Sequence, residues 1–203
     1  MMVDKRKFKD TNVSLLGLGT MRLPCETEQK RESNPNIDYD KAQSLVDLAY
    51  KNGVNYFDTA YMYHCGKSEA FIGYALKKYP RDTYYLADKL PIWMCDTKED
   101  MKRVFEKQLE RTGMDYFDFY LLHSLDNENF EKCEKFNAYD FLKKMQKEGK
   151  IKYIGFSFHG TVDDLRNIVS AHKWDFAQIQ MNYLDWENQN AKMQYQILED
   201  AGI

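Results

Sequence analysis

Three residues able to hold or steer a proton fall at the ends of apolar runs in this 203-residue sequence: Asp58, Lys89 and His123. A fourth, Tyr63, follows Asp58 by five positions, close enough for a loop to fold its phenol back over the same end. A phenol titrates near about 10, too weak an acid to protonate an alkoxide quickly at neutral pH. A neighbouring ammonium lowers that value, and a carboxylate holds the ammonium in place. An imidazole beside them donates a hydrogen bond to a substrate oxygen. Such a set suits the reduction of a carbonyl, with Tyr63 giving the proton. No side chain delivers hydride, so a nicotinamide or flavin is required. The plainer reading stays open beside it: Asp58 and Lys89 as an ion pair filling a strand end, and His123 as a satisfied structural histidine.

The elements that must position these groups alternate along the chain. Aromatic and β-branched runs at 54–58, 84–89, 116–123, 151–158 and 176–183, with an earlier one at 13–19, read as strands. Between them lie helical periods. Ala42, Leu45, Val46 and Ala49 follow an Asp38 cap and stop at Gly53. Thr97 and Asp100 open a helix with Met101, Val104, Phe105 and Leu109 inward. Thr161 and Asp164 open another, burying Leu165, Ile168 and Val169. The strand starts recur every 25–35 residues, about the length of a βαβ unit, so a parallel sheet covered by helices is expected. Gly17-Leu18-Gly19-Thr20 carries two glycines of a dinucleotide fingerprint, but Met-Arg-Leu-Pro and a polar loop at 26–36 follow it. That favours a (β/α)8 barrel over an open doubly wound sheet, with six strands in view. In a barrel, chemistry gathers where strands end, and Ser157 and Gln178 join the set there.

Composition narrows the partners. Twenty-nine basic residues against 32 acidic ones leave a net charge of −3 with no long block of one sign, which removes the simplest case for a nucleic-acid or membrane-surface protein. No run approaches the roughly 18 apolar residues of a membrane span, and the first residues lack a signal core. Cys25, Cys65, Cys95 and Cys133 are scattered, which fits a reduced, cytoplasmic protein. His64, Cys65 and His159 lack the close, repeated spacing of a metal site, so no metal is expected.

Gly17-Leu18-Gly19-Thr20-Met21-Arg22, Asp58-Thr59-Ala60-Tyr61-Met62-Tyr63, Lys89, Leu121-Leu122-His123-Ser124 and Ile154-Gly155-Phe156-Ser157 resemble, in order, the motifs of the aldo-keto reductases. The resemblance implies reversible NADPH-dependent reduction of aldehydes and ketones, with a small-molecule carbonyl as substrate and NADP(H) as cofactor. It implies Tyr63 as general acid, Asp58 and Lys89 as its tuning pair, and His123 as the orienting group. Gly19, Thr20, Met21, Asp58, Ser157 and Gln178 are the implied cofactor contacts.

Phe158 and His159 follow Ser157 where the family usually has Asn. This, with Tyr63-His64 and the run Gln178-Ile179-Gln180-Met181-Asn182-Tyr183, resembles a bacterial branch that carries a C-terminal iron–sulfur domain, although no cysteine cluster for one is present. The sequence stops where the family enters its seventh strand. The expectation is therefore one reductase domain over 1–203, an incomplete (β/α)8 barrel of about six units, whose unclosed edges favour self-association. The alternative is a catalytically impaired form of the same scaffold, serving as a binding or regulatory module or a fragment of a longer reductase.

Overall fold

The computed structural model describes residues 2–27, 34–188 and 190–203, and the chain divides into two compact units. Met1–Asp88 with Phe105–Asp118 forms the first, and Lys89–Val104 with Phe119–Ile203 the second. A six-stranded sheet runs in chain order through β3 (Gly17–Gly19), β4 (Tyr56–Asp58), β5 (Tyr85–Leu90), β6 (Phe117–Leu125), β7 (Ile151–Phe158) and β8 (Phe176–Ile179). The pairs β3/β4, β4/β5 and β7/β8 are parallel, which obliges a crossover between strands.

In the first unit, helices α1 (Tyr39–Lys51) and α2 (Lys67–Leu76) supply those crossovers. Asp38 caps α1 by accepting from the Lys41 amide, and Gly53 past its end takes φ +93°. Ala42 and Val46 are buried as expected, but Leu45 is 40% exposed: the inward stripe is narrower than its apolar period. Phe57, Phe71, Ile72, Leu76 and Leu86 are fully buried, and α3 (Lys98–Thr112) brings Phe105 edge-on to Phe117 at 5.9 Å. Asp118 is fully buried. Its Oδ2 accepts from Arg81 Nη2 at 2.7 Å and from the Leu86 amide at 3.0 Å, which ties β6 to β5. Arg81 stacks on Tyr84 and Tyr116, with its guanidinium 5.0 and 4.0 Å from the two rings.

The strand expected at 13–19 is two elements. Ser14 ends β2 (Thr11–Ser14), which forms an antiparallel hairpin with β1 (Lys5–Phe8), and only Gly17–Gly19 joins the main sheet. Asn55 explains the break. Its Oδ1 accepts from the Ser14 amide at 2.8 Å and its Nδ2 donates to the Asn12 carbonyl, so the hairpin is stitched to the chain entering β4. The expected polar loop at 26–36 lies outside the described residues from 28 to 33; its two ends are joined by a Cys25–Ile37 bridge.

The second unit carries α4 (Asn127–Phe136), α5 (Ala138–Lys147), α6 (Val162–Ala171), α7 (Asp185–Asn188) and α8 (Ala191–Asp200). Thr161 and Asp164 form the expected reciprocal capping box, and Leu165 and Ile168 are buried. Phe119 packs against Tyr153 and Phe176, and Trp174 donates its indole N–H to the Ile168 carbonyl at 2.8 Å. The strand expected over 176–183 ends at Ile179, because Asn182 and Asp185 turn the following segment. Asn182 Oδ1 accepts from the Leu184 and Asp185 amides.

Two glycines are spacing requirements. A Cβ on Gly73 of α2 would stand 2.1 Å from the Thr112 carbonyl oxygen, and one on Gly155 of β7 would stand 2.5 Å from that of Phe176. Both neighbours are backbone, so neither swings aside. Gly73→Ala is therefore expected to lower unfolding stability by about 1–3 kcal/mol or more, measured by urea denaturation, whereas Gly113→Ala is penalised only through its φ of +64°.

Candidate active site

In the first unit, Asp58 closes β4 and is 7% exposed. Its carbonyl accepts both the Thr20 amide and the Thr20 hydroxyl, each at 2.9 Å. A chain of buried hydroxyls leads to that carbonyl. Ser68 Oγ, on the first turn of α2, lies 2.9 Å from Thr59 Oγ1 and donates to Thr20 Oγ1 at 2.6 Å. With Ser68 donating to Thr20, and Thr20 to Asp58, the remaining proton runs from Thr59 to Ser68, so Ser68 and Thr20 each both donate and accept. Thr20 thus lies wholly inside, and its hydroxyl acts on Asp58 and not toward solvent. Gly19, paired with Asp58, is exposed, and a Cβ there would meet no atom within 4 Å. Met21 is half-buried. Burial and the Asp58 charge hold the Tyr56 phenol well above its ordinary range, so Tyr56 stays neutral.

Tyr63 begins a single 3₁₀ turn, Tyr63–Gly66, and its amide donates to the Ala60 carbonyl. The three residues after it, His64, Cys65 and Gly66, all have positive φ, at 52°, 54° and 83°. Left-handed backbone costs a non-glycine residue about 1–2 kcal/mol, so surrounding contacts must hold this turn.

In the second unit, Lys89 stands one residue from the end of β5 and is 2% exposed. His123 is the seventh of nine residues of β6. Burial first, then the positive field of Lys89 and of His159, lowers the His123 imidazole to about 3. His123 is therefore a neutral hydrogen-bonding group at physiological pH and not a proton store. The Trp93 ring lies 5.0 Å from it, tilted by 52°. Ser157, near the end of β7, accepts from the Ser124 amide at 2.7 Å and pairs in register with Gln178 of β8, whose side chain is exposed.

Sequence reasoning named the groups at the strand ends and missed those that brace them. Ser68 lies in no motif and on the buried side of a helix start, where a hydroxyl has no signature. Trp93 follows Lys89 at a distance that carried no periodic signal. His64 stands in the sequence beside Cys65 as weak metal-ligand chemistry and with Tyr63 as part of the family resemblance, and neither signal marks it as a brace; among the described residues no three His, Cys, Asp or Glu side chains gather to hold an ion.

The neutral state of His123 has a consequence for stability. The unfolded imidazole titrates near about 6.5, and the folded one near about 3. Between those values the unfolded chain binds the extra proton, so this contribution is intact above the upper value and is lost as pH falls toward the lower. Urea midpoints are expected to drop on acidification from pH 7 to 4, and less steeply in His123→Gln. An imidazole proton resonance for His123 that titrates near 6.5 in the folded protein would contradict this.

The Aldo/keto reductase family model matches residues 15–203. An aldo-keto reductase of Gibberella moniliformis is 30% identical over 184 residues, covering 87% of this chain and 53% of its own length. The NADH-specific methylglyoxal reductase of Escherichia coli is 26% identical over 96% of this chain and 62% of its own. Among solved structures, the holo form of an aldo-keto reductase from Bacillus halodurans superposes with a TM-score of 0.76 at 26% identity, covering 99% of this chain and 64% of that one. The chain spans about half the length of the first two of its curated relatives, 48% and 53%. The fold class is accordingly that of the (β/α)8 barrel with six of its βα units present, and the chain belongs to the aldo/keto reductase family.

Proposed function

We propose that this protein is an oxidoreductase that reduces the carbonyl of a small aldehyde or ketone, with Tyr63 as proton donor. The observation that carries the proposal is that each candidate residue borne on a strand stands at or near the end of that strand. Asp58 ends β4, Lys89 and His123 stand near the ends of β5 and β6, and Ser157 and Gln178 near the ends of β7 and β8. In barrels of this class the C-terminal strand ends are where chemistry is done.

Each residue has a distinct task in this reading. The Lys89 ammonium, kept dry, favours the phenolate of Tyr63 and so makes the phenol a better acid. Asp58 balances that ammonium, and the hydroxyl chain behind it fixes its backbone. His123, neutral, donates a hydrogen bond to the carbonyl oxygen and orients it. Gly19, Met21, Ser157 and Gln178 are the proposed holders of a nicotinamide cofactor, NADP(H) by resemblance. A Cβ at Gly19 would meet no atom within 4 Å, which leaves room there for a ligand lying against backbone, and in the second unit the Gln178 side chain is exposed. Thr20 serves that group only through Asp58. When bound, a reduced nicotinamide supplies the hydride that no side chain can. The relative named for NADH leaves the choice of dinucleotide to experiment.

No helix among the described residues is long and apolar enough to cross a membrane, and none of the four cysteines is in a disulfide. A cytoplasmic setting, with no nucleic acid as partner, belongs to the same reading. So does self-association: beyond β8, Met181, Tyr183 and Leu184 are 47%, 87% and 60% exposed, an apolar group that a second copy would cover.

Turnover of methylglyoxal with NADPH or NADH, followed by loss of nicotinamide absorbance, tests the activity. Tyr63→Phe is expected to lower kcat by roughly 10²–10⁴-fold with cofactor affinity unchanged; undiminished turnover would remove Tyr63 from the reaction. Size-exclusion chromatography with light scattering is expected to find dimers or larger species that Tyr183→Glu dissociates. A monomer at all concentrations would count against association.

A further inference from the structure

The left-handed turn that follows Tyr63 is gripped from two sides, and neither grip belongs to the reacting groups. On one side is His64, whose ring is buried without solvent exposure. Its Nε2 accepts from the Leu23 amide at 3.0 Å, so that nitrogen carries no proton; the proton is on Nδ1, which donates to the Asn34 carbonyl at 2.7 Å. A neutral imidazole with both nitrogens engaged thereby ties the turn to the segment after Thr20 and Met21. On the other side is Arg111, at the end of α3. Its Nη1 donates to the Tyr61 carbonyl at 3.3 Å, and its guanidinium lies 4.3 Å from the Tyr61 ring centroid. It also closes on Gly66, where a Cβ would stand 3.2 Å from Nη1. Arg111 is held in turn by the buried carboxylate of Glu69 at 2.8 Å.

Tyr63 sits between these grips, one residue before the first left-handed position. Backbone that L-residues avoid persists only where its surroundings over-determine it, and such strain concentrates at sites that need a side chain aimed. We infer that His64 is a positioning residue, which together with Arg111 holds the turn His64–Gly66 left-handed and so sets the direction of the Tyr63 phenol. The inference rests on the proposed role of Tyr63 as proton donor.

The test is built so that the two ideas fail separately. Protein carrying tyrosine labelled with ¹³C at Cζ gives one resonance per tyrosine, and the one absent from Tyr63→Phe is that of Tyr63. In His64→Ala this resonance is expected to shift or broaden while those of tyrosines remote from the turn stay fixed. His64→Gln, which keeps an oxygen for the Leu23 amide, should restore part of the change. In turnover, His64→Ala is expected to lower kcat roughly 10–100-fold with KM within about twofold, the size of effect that a misplaced reacting group produces. On the Tyr63→Phe background it should lower kcat no further. A folded His64→Ala protein whose Tyr63 resonance is unmoved overturns the inference; if that variant does not fold, an unmoved resonance in His64→Leu, which also lacks both hydrogen bonds, does so. Undiminished turnover in Tyr63→Phe would bring down the proton-donor role and leave the resonance experiment to decide the positioning role alone.

Discussion

The carbonyl oxygen of Asp58 takes both donors of Thr20, and much of the first unit is organised around that pair of hydrogen bonds. It fixes the end of β3 against the end of β4, with Gly19 opposite Asp58 and Asp58 opposite Ala87. The same threonine hydroxyl receives Ser68, so the start of α2 is drawn to the same point. Three hydroxyls therefore do what a single apolar contact could not: they set distance and direction together, with no polar atom among them wasted. The backbone of Asp58 is thereby fixed from two sides, independently of its carboxylate.

Much of this was readable before any coordinates. The capped helices at Asp38 and Thr161 announced themselves because an oxygen-bearing cap, an acidic first turn and an apolar period occur together. The chemistry-bearing residues were legible for a different reason: a charge at the end of an apolar run has few physical explanations. What stayed hidden was whatever depends on contacts distant in sequence. Asn55 breaks the chain at Ser14 from 41 positions away, and no local pattern marks it. Leu45 looks like core by period and lies at the surface, since helix α1 buries a narrow stripe. The bracing of the turn after Tyr63 by Leu23, Asn34 and Arg111 joins three separate stretches, and left-handed backbone at His64 and Cys65 contradicts the ordinary preference of both residue types.

The two units meet the cost of buried charge by different means. In the first, Glu69 and Asp118 each face an arginine, at 2.8 and 2.7 Å, and burial still pushes the Glu69 carboxyl up against the pull of Arg111. In the second, the imidazole of His123 avoids the cost by giving up its charge, which leaves Lys89 as the cation of the pair. A group kept uncharged by its neighbours can hydrogen-bond a neutral carbonyl without competing for the proton that Tyr63 is proposed to give.

The bond from Asp118 to the Leu86 amide also determines parity. Side chains alternate along a strand, so a slide of β5 by one position would exchange the directions of its odd and even members, turning an acid toward the side where an amine had been. Asp88 and Lys89 are neighbours of opposite sign in that strand. The Asp118 carboxylate on β6, by holding an amide three residues before Lys89, thus helps decide toward which side each of the two charges of β5 is turned.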